Sequence, residues 1–331
     1  MNEWIERQVY TSQQLIEHAR QALQGGNIAV AEESVVEALA IIDMALGEAP
    51  GNLDILRVKA KGNNELGFLF HRSERLDRAL DLHNQTLELC NQMVESGEEF
   101  RANTAACHIN ISSVLVGLDR DDEARSHSEK AITISSSLID DEEDLVQARN
   151  IAFGARHSLA VNDAKASNFD AALDHLEKGL KFITYLRENG APGIDVQAAQ
   201  TCQQISVLLF ENDRFDDASD IGKSALDFSE KAYETIGEQT IPVYLTSQMN
   251  LISYYEKQGN YSGAEDSLWK SLDFIGDHPQ ILERGKAFYE TCRNQADTRL
   301  EKGGLPREEV EEGLREINER ITKIGGISEE E

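Results

Sequence analysis

The amino-acid sequence predicts an all-α solenoid in which helical hairpins stack side by side. Three observations support this fold class. Only 5 prolines and 6% aromatic residues accompany 40% hydrophobic residues, and this composition disfavours β-rich architectures. One short pattern recurs six times at nearly constant spacing along the 331 residues. Apolar and small residues at helical spacing flank each copy.

The recurring pattern consists of a polar turn residue, an apolar or aromatic residue, two spacers and an alanine. The six alanines are separated by 48, 45, 48, 46 and 46 residues, so the repeat unit is about 46 residues long. The third copy departs from the pattern, because Asp121 occupies its apolar position. The copies are Asn27–Ala31, Arg75–Ala79, Arg120–Ala124, Asn168–Ala172, Arg214–Ala218 and Asn260–Ala264.

Each copy lies between two stretches with the periodicity of amphipathic helices. Before the second copy, for example, Leu66, Gly67 and Phe70 fall on one face of a helix. Small residues on that face let two helices approach closely while the apolar residues fill the space between them. His83 falls on the inward face of a second helix, where we expect it to be packed in the core. Each copy therefore predicts the turn of a helical hairpin.

The spacing also predicts where the hairpins begin and end. The chain is expected to form a single solenoid domain, closed at its C-terminal end by a degenerate capping pair and followed by a frayed acidic tail. The predicted hairpins span about 11–50, 51–97, 98–141, 142–190, 191–240 and 241–279, the capping pair 280–324 and the tail 325–331.

The last predicted helix carries an apolar stripe on an otherwise charged surface. Its members recur at intervals of four and three residues, and Pro306 lies near the start of this helix. The stripe has two interpretations: it seals the open end of the solenoid, or it forms the seam of a coiled-coil dimer. The stripe consists of Val310, Leu314, Ile317, Ile321 and Ile324.

These motifs resemble those of the tetratricopeptide repeat family. Leu66–Phe70 is similar to the Leu-Gly-x-x-Tyr segment of its first helix, and Tyr255–Ala264 is similar to its Gly-Asn-aromatic-x-x-Ala turn. The unit of about 46 residues is longer than the usual 34, as in kinesin-light-chain-like and Rap-like repeats. His18 in the first repeat and Asp163 in the fourth depart from the family pattern, and these departures predict less regular packing there. The resemblance implies a protein-binding superhelix with a concave groove.

The formal net charge of −28 constrains the partner. Each phosphate contact requires a Lys or Arg side chain, so direct binding to nucleic acid or to an anionic membrane is disfavoured. We therefore expect a protein or an extended peptide as the partner. The acidic net charge of this chain favours a partner of basic character. The oligomeric state stays open.

The sequence contains no recognisable catalytic or cofactor-binding motif. Phosphate-binding, zinc-protease, nucleophile-elbow and dinucleotide-binding signatures are absent from it, so we predict no enzymatic activity, no cofactor and no metal. Four widely spaced cysteines favour buried thiols in a reducing compartment. The lack of a signal peptide and of a long apolar stretch completes the expectation of a cytoplasmic protein.

The inner stripe of the first helices is the predicted partner-binding groove. From the third to the sixth repeat this stripe carries amides, hydroxyls and valines, but no charge. Amides offer both a donor and an acceptor to a peptide backbone, and the resemblance implies an asparagine ladder, of which two positions match here. The predicted groove residues are Asn110, Ser113, Ser158, Val161, Gln204, Val207, Asn250 and Ser253.

Two functions fit this pattern. The first is a non-catalytic scaffold or adaptor that binds a protein or peptide in the concave groove. The alternative is a regulatory sensor of the Rap-like kind, in which a ligand or peptide changes the pitch of the superhelix.

Overall fold

The computed structural model describes residues 3–95, 100–142 and 145–327, with side chains to residue 324. Throughout these residues the chain forms helices joined by short turns, and they contain no strand. The predicted all-α solenoid of repeated hairpins is confirmed. A 3-10 turn at Glu238–Thr240 precedes one helix. The helices are α1 (Glu3–Gln24), α2 (Ile28–Glu48), α3 (Leu53–Arg72), α4 (Leu76–Glu95), α5 (Arg101–Gly117), α6 (Asp121–Asp140), α7 (Leu145–Lys165), α8 (Phe169–Leu180), α9 (Ile183–Glu188), α10 (Ile194–Glu211), α11 (Phe215–Ile236), α12 (Ile241–Gln258), α13 (Tyr261–Ile275), α14 (Pro279–Arg293), α15 (Asp297–Lys302) and α16 (Arg307–Ile327).

All six hairpins use the same turn. In each, the residue before the repeated pattern has a φ between 56° and 77°. The N–H of the following polar residue then donates to the carbonyl five residues earlier, at 2.8 to 2.9 Å. This is the Schellman arrangement that ends a helix. The left-handed residues are Gly26, Glu74, Asp119, Ser167, Asp213 and Gly259.

The alanine that follows each turn lies at the contact between the two helices of a hairpin. All six alanine side chains are completely buried. A methyl group is small enough for the two helices to approach closely. Gly67 shows how close the approach becomes, since a Cβ added there would lie 2.7 Å from Cε1 of His83. The predicted roles of the alanines and of Gly67 as close-packing positions, and of His83 as a core residue, are confirmed.

The contacts divide the chain into two compact units within the fourth hairpin. The first unit ends at Asn162 and includes Glu177–Phe182, whereas the second includes Asp163–Leu176 and resumes at Ile183. The second helix of this hairpin is interrupted between α8 and α9. In the second unit, the buried Asp163 carboxylate lies 3.6 Å from Nε2 of His175. The interruption lies in the second helix of the hairpin, whereas α7, which contains Asp163, is continuous.

The first helix is longer than predicted. It begins at Glu3 rather than near residue 11, because its apolar face extends further towards the N-terminus. Ile5 packs in one core cluster with Ile16 of the same helix and Ile42 of α2. At the other end α16 continues to Ile327, and residues 328–331 of the predicted tail lie outside the described residues.

The apolar stripe of α16 seals the second unit. Val310 and Ile317 are completely buried, Leu314 is buried, and Ile321 and Ile324 are partly buried against the same core. Since this core includes side chains of α13 and α14, the stripe is already covered within the chain. The capping interpretation is confirmed and the coiled-coil alternative is wrong. Among the described helices, none is both long and apolar enough to cross a membrane.

We expect the shared turn to respond to glycine in a predictable way. Asp213 holds a left-handed conformation that costs a residue with a Cβ about 1 kcal/mol more than glycine. Asp213→Gly should therefore raise the free energy of unfolding, measured by urea denaturation, by about 1 kcal/mol. As the control, Asp220→Gly at an exposed site inside α11 should lower it by a similar amount. If both substitutions changed the free energy of unfolding by the same amount and in the same direction, Asp213 would not incur a conformational cost for its left-handed turn.

The cap should be sensitive to a single methyl group. A Cβ on Gly313 would lie 2.2 Å from Cζ of Tyr289, whose hydroxyl donates to Glu265 at 2.6 Å. Gly313→Ala should therefore lower the free energy of unfolding by about 1 to 3 kcal/mol. A Cβ on Gly47 in α2 would contact nothing within 4 Å, so Gly47→Ala should be neutral or stabilising. Thermal unfolding of both variants tests this difference.

Candidate functional site

Asn110 and Ser113 on α5 remain accessible in the first unit. Ser113 is exposed, and Asn110 is half-buried. The Asn110 Nδ2 donates to Oδ1 of Asn64 on α3 at 2.7 Å. The two side chains thus join the first helices of the second and third hairpins. Asn64 was not among the predicted groove residues.

Two of the predicted groove residues are buried instead. Ser158 is 8% exposed and Val161 is 3% exposed, so neither presents a surface for a partner. The Ser158 hydroxyl lies 2.7 Å from that of Ser112, which lies 2.7 Å from that of Ser128. This chain of hydroxyls fills the packing between neighbouring helices, and Val161 is apolar and packed. Their assignment to an open groove is wrong.

In the second unit the predicted stripe is only partly open. Gln204 is exposed, whereas Val207, Asn250 and Ser253 are half-buried. The Ser253 hydroxyl donates to the Met249 carbonyl at 2.8 Å and accepts from Nη2 of Arg284 at 3.2 Å. The stripe is therefore not free of charge at the sixth hairpin.

Two adjoining clefts of the first unit lie between α3 and α5, with α4 at their base. The first, here the His83 cleft, has a volume of 470 Å³, and the second, here the Cys90 cleft, has a volume of 450 Å³. They share Asn64, Glu65 and Asn110. The His83 cleft also includes Phe68, His71, His83, Ile109 and Ser113, and the Cys90 cleft also includes Arg20, Arg57, Ala60, Lys61, Thr86, Cys90, Phe100, Asn103, Ala106 and Cys107.

The His83 cleft combines an apolar wall with a buried imidazole. Phe68 is 45% exposed on the α3 side, and Ile109 lies on the α5 side. His83 is 2% exposed, and its burial, together with the nearby charge of His71, lowers its pKa to about 4. Its Nδ1 has no hydrogen-bond partner among the described residues. The cleft can therefore accept an apolar side chain beside Phe68.

The Cys90 cleft is cationic for so acidic a protein. Arg20 donates through Nε to Glu65 at 2.8 Å, and Arg57 ion-pairs with Asp54 at 2.9 Å. Lys61, which is half-buried, has no ion-pair partner in the part of the chain that the structure describes. Lys61 thus lines the same cleft as Asn64, Asn103 and Asn110, and the carboxylate in that lining, Glu65, is paired with Arg20.

The structure also brings together two thiols that are 17 residues apart in the sequence. The sulfur atoms of Cys90 and Cys107 are 3.8 Å apart, and both side chains are buried at the base of the Cys90 cleft. Sequence reasoning treated the cysteines singly. The sequence did contain a signal for another cleft residue, Asn103. It lies seven residues before Asn110 on α5 and therefore on the same face of that helix.

Comparisons with known proteins agree with this architecture. A family model described as "Family of unknown function (DUF6483)" matches residues 111–322. A tetratricopeptide repeat model matches residues 58–137, a range that contains most of both clefts. The resemblance to tetratricopeptide proteins is confirmed. No curated protein matches the sequence.

Solved structures share the fold at low sequence identity. The nuclear import adaptor Nro1 of S. pombe is 12% identical, with 91% of this chain and 99% of that chain covered and a TM-score of 0.53. The apo form of RapI is 10% identical, covering 94% and 99%, with a TM-score of 0.52. The Rap conjugation gene regulator of plasmid pLS20, in complex with the Phr* peptide, is 14% identical, covering 94% and 73%, with a TM-score of 0.50.

The buried imidazole of His83 should make stability depend on pH. Its pKa is about 4 in the folded protein, against an ordinary value of 6.5 in the unfolded chain. Between these values the unfolded chain binds more protons, so this group costs stability as the pH falls below 6.5. From about pH 7 to about pH 5.5 the wild type should lose about 1 kcal/mol more than His83→Gln does.

Urea denaturation of both proteins at several pH values measures this difference. From about pH 8 to about pH 7 the two proteins should change in parallel, because the imidazole is neutral in both states. Parallel behaviour at the lower pH values as well would show that His83 takes up its proton equally in the folded and unfolded chains.

Proposed function

Since the chain belongs to the DUF6483 family of unknown function and is built from tetratricopeptide-type hairpins, we propose that it is a non-catalytic scaffold that binds an extended peptide segment of a partner protein. The observation that carries this proposal is the pair of adjoining clefts that meet at Asn64 and Asn110.

The amides at this meeting point can bind a peptide backbone. Asn110 uses one N–H in its bond to Asn64, which leaves a second N–H and its own carbonyl oxygen. Asn103 is exposed on the same face of α5. A peptide lying between α3 and α5 could therefore receive and donate backbone hydrogen bonds without being selected by its side chains.

Side-chain preference comes from the two clefts. The apolar wall at Phe68 and Ile109 favours an apolar residue of the peptide. The ammonium of Lys61, which makes no ion pair among the described residues, favours a carboxylate of the peptide in the adjoining cleft. The net charge of −28 attracts basic partners over a longer range. At the clefts themselves, however, three cations stand against Glu65, so we propose a neutral to acidic segment there.

The structural neighbours support a binding role through the fold alone. One of them is described in complex with the Phr* peptide, and another as a nuclear import adaptor. All four cysteines are free, and this favours the cytoplasmic location predicted from the sequence.

A second candidate function is a peptide-responsive regulator. The two Rap proteins each match over 94% of this chain, and this coverage favours the alternative. In this case binding would change the shape of the solenoid, because each hairpin contacts only its neighbours. Small-angle scattering with and without a bound peptide distinguishes the regulator from the adaptor. An unchanged scattering curve would exclude the regulator, because peptide binding would then not change the shape of the solenoid.

The clefts can be tested with random peptides displayed on phage and selected against the intact protein. Selected peptides should bind Asn64→Ala/Asn110→Ala at least about tenfold more weakly than the wild type, a loss of about 1.4 kcal/mol. Lys61→Ala should weaken binding only of selected peptides that contain Asp or Glu, and added salt should have the same selectivity.

The matched control is Asn250→Ala, which removes a predicted groove amide from the second unit. We expect peptide affinities within about twofold of the wild type for this variant. Circular dichroism of each variant excludes unfolding as the cause of a loss. Affinities that survive the double change but fall with Asn250→Ala would contradict the proposed site in the first unit.

A further inference from the structure

A pair of thiols lies at the base of the Cys90 cleft. Cys90 is on α4 and Cys107 is on α5, so the pair joins the second and third hairpins. The sulfur atoms are 3.8 Å apart, and both residues line the cleft that opens to solvent. Cys202 and Cys292 are also buried, but neither has a thiol partner within the described residues.

We propose that Cys90 and Cys107 form a peroxide-sensitive dithiol, which oxidises to a disulfide that links the second and third hairpins. The bond requires the sulfurs to move from 3.8 Å to about 2.0 Å. The two sulfurs already approach each other from neighbouring helices, α4 and α5.

The electrostatics assign a different role to each sulfur. Either thiol can donate the hydrogen bond between the two sulfurs; donated by Cys107 to the Cys90 thiolate, it lowers the pKa of Cys90 against the opposing effect of burial. The pKa of Cys107 is raised by the same hydrogen bond and by burial. Burial raises the pKa values of Cys202 and Cys292 to about 12. The pair is therefore the reactive site, with Cys90 as the sulfur whose thiolate the neighbouring thiol stabilises, and the single thiols are inert by comparison.

The oxidation balances with hydrogen peroxide as the oxidant. The Cys90 thiolate attacks one peroxide oxygen, the O–O bond breaks, and the departing hydroxide leaves as water after protonation. The sulfur of Cys107 then attacks the resulting sulfenic acid, forms the S–S bond and releases a second water. Two thiols lose two electrons and two hydrogens, and the peroxide is reduced.

The disulfide would change the clefts as well as the stability. Residues of α4 form the base of both clefts, and α5 forms one wall, so the bond would fix that wall to the base. We therefore expect oxidation to weaken peptide binding. This consequence rests on the proposed function, whereas formation of the bond does not.

Differential alkylation with mass spectrometry tests the bond itself. The purified full chain, treated with hydrogen peroxide and then unfolded, should lose two of its four alkylatable thiols and yield a peptide pair joined through Cys90 and Cys107. Dithiothreitol should restore both thiols. Cys202→Ser/Cys292→Ser should oxidise like the wild type, and Cys107→Ser should form no internal crosslink. Four thiols left intact, or crosslinks between chains only, would overturn the proposal.

Peptide binding provides a separate result. A peptide selected on the reduced protein should bind the oxidised wild type at least about threefold more weakly, and peroxide should not change its affinity for Cys90→Ala/Cys107→Ala. An unchanged affinity despite complete disulfide formation would refute control of the clefts. If no peptide binds the reduced protein, the proposed function fails, while the alkylation result still decides whether the disulfide forms.

Discussion

The close contact between the two helices of each hairpin is the constraint on which this structure depends. It requires an alanine after the turn, and all six of these alanines are completely buried. Larger side chains would force the helices apart, and the apolar rows above and below would lose their packing. The left-handed turn residue places the alanine correctly, because it ends the first helix where the second must begin.

The same contact forms the base of the candidate site. On α4 the buried row that starts at Ala79 continues at helical spacing through His83, Thr86 and Cys90. These three side chains line the clefts between α3 and α5, although each of them is buried. Gly67 provides the space for the imidazole of His83. A buried row of the repeat thus supplies an imidazole, a hydroxyl and a thiol to the base of the clefts.

Periodicity predicted this contact well and the open surface poorly. The spacing of alanines located every hairpin, and the stripe of α16 identified the cap, because both depend on contacts inside one helix pair or its neighbour. Exposure depends on several hairpins at once. Ser158 and Val161 occupy the same repeat position as Asn110 and Ser113, yet they are buried. The approach of Cys90 to Cys107 likewise requires the orientation of two helices from different hairpins, which periodicity does not determine.

Many basic side chains of this protein pair with carboxylates, whereas Lys61 in the Cys90 cleft does not within the part of the chain that the structure describes. The protein has 32 basic and 60 acidic residues, and many of its cations join neighbouring hairpins. Arg75 pairs with Glu32, and Arg284 pairs with Glu256, in each case across successive repeats. These ties offset the mutual repulsion of a strongly acidic surface. Lys61 departs from this use, since it makes no ion pair among the described residues, and Glu65, the carboxylate of the same cleft, is paired with Arg20. A cation that the fold does not use is available to a ligand, and a carboxylate is the ligand group that it would stabilise most.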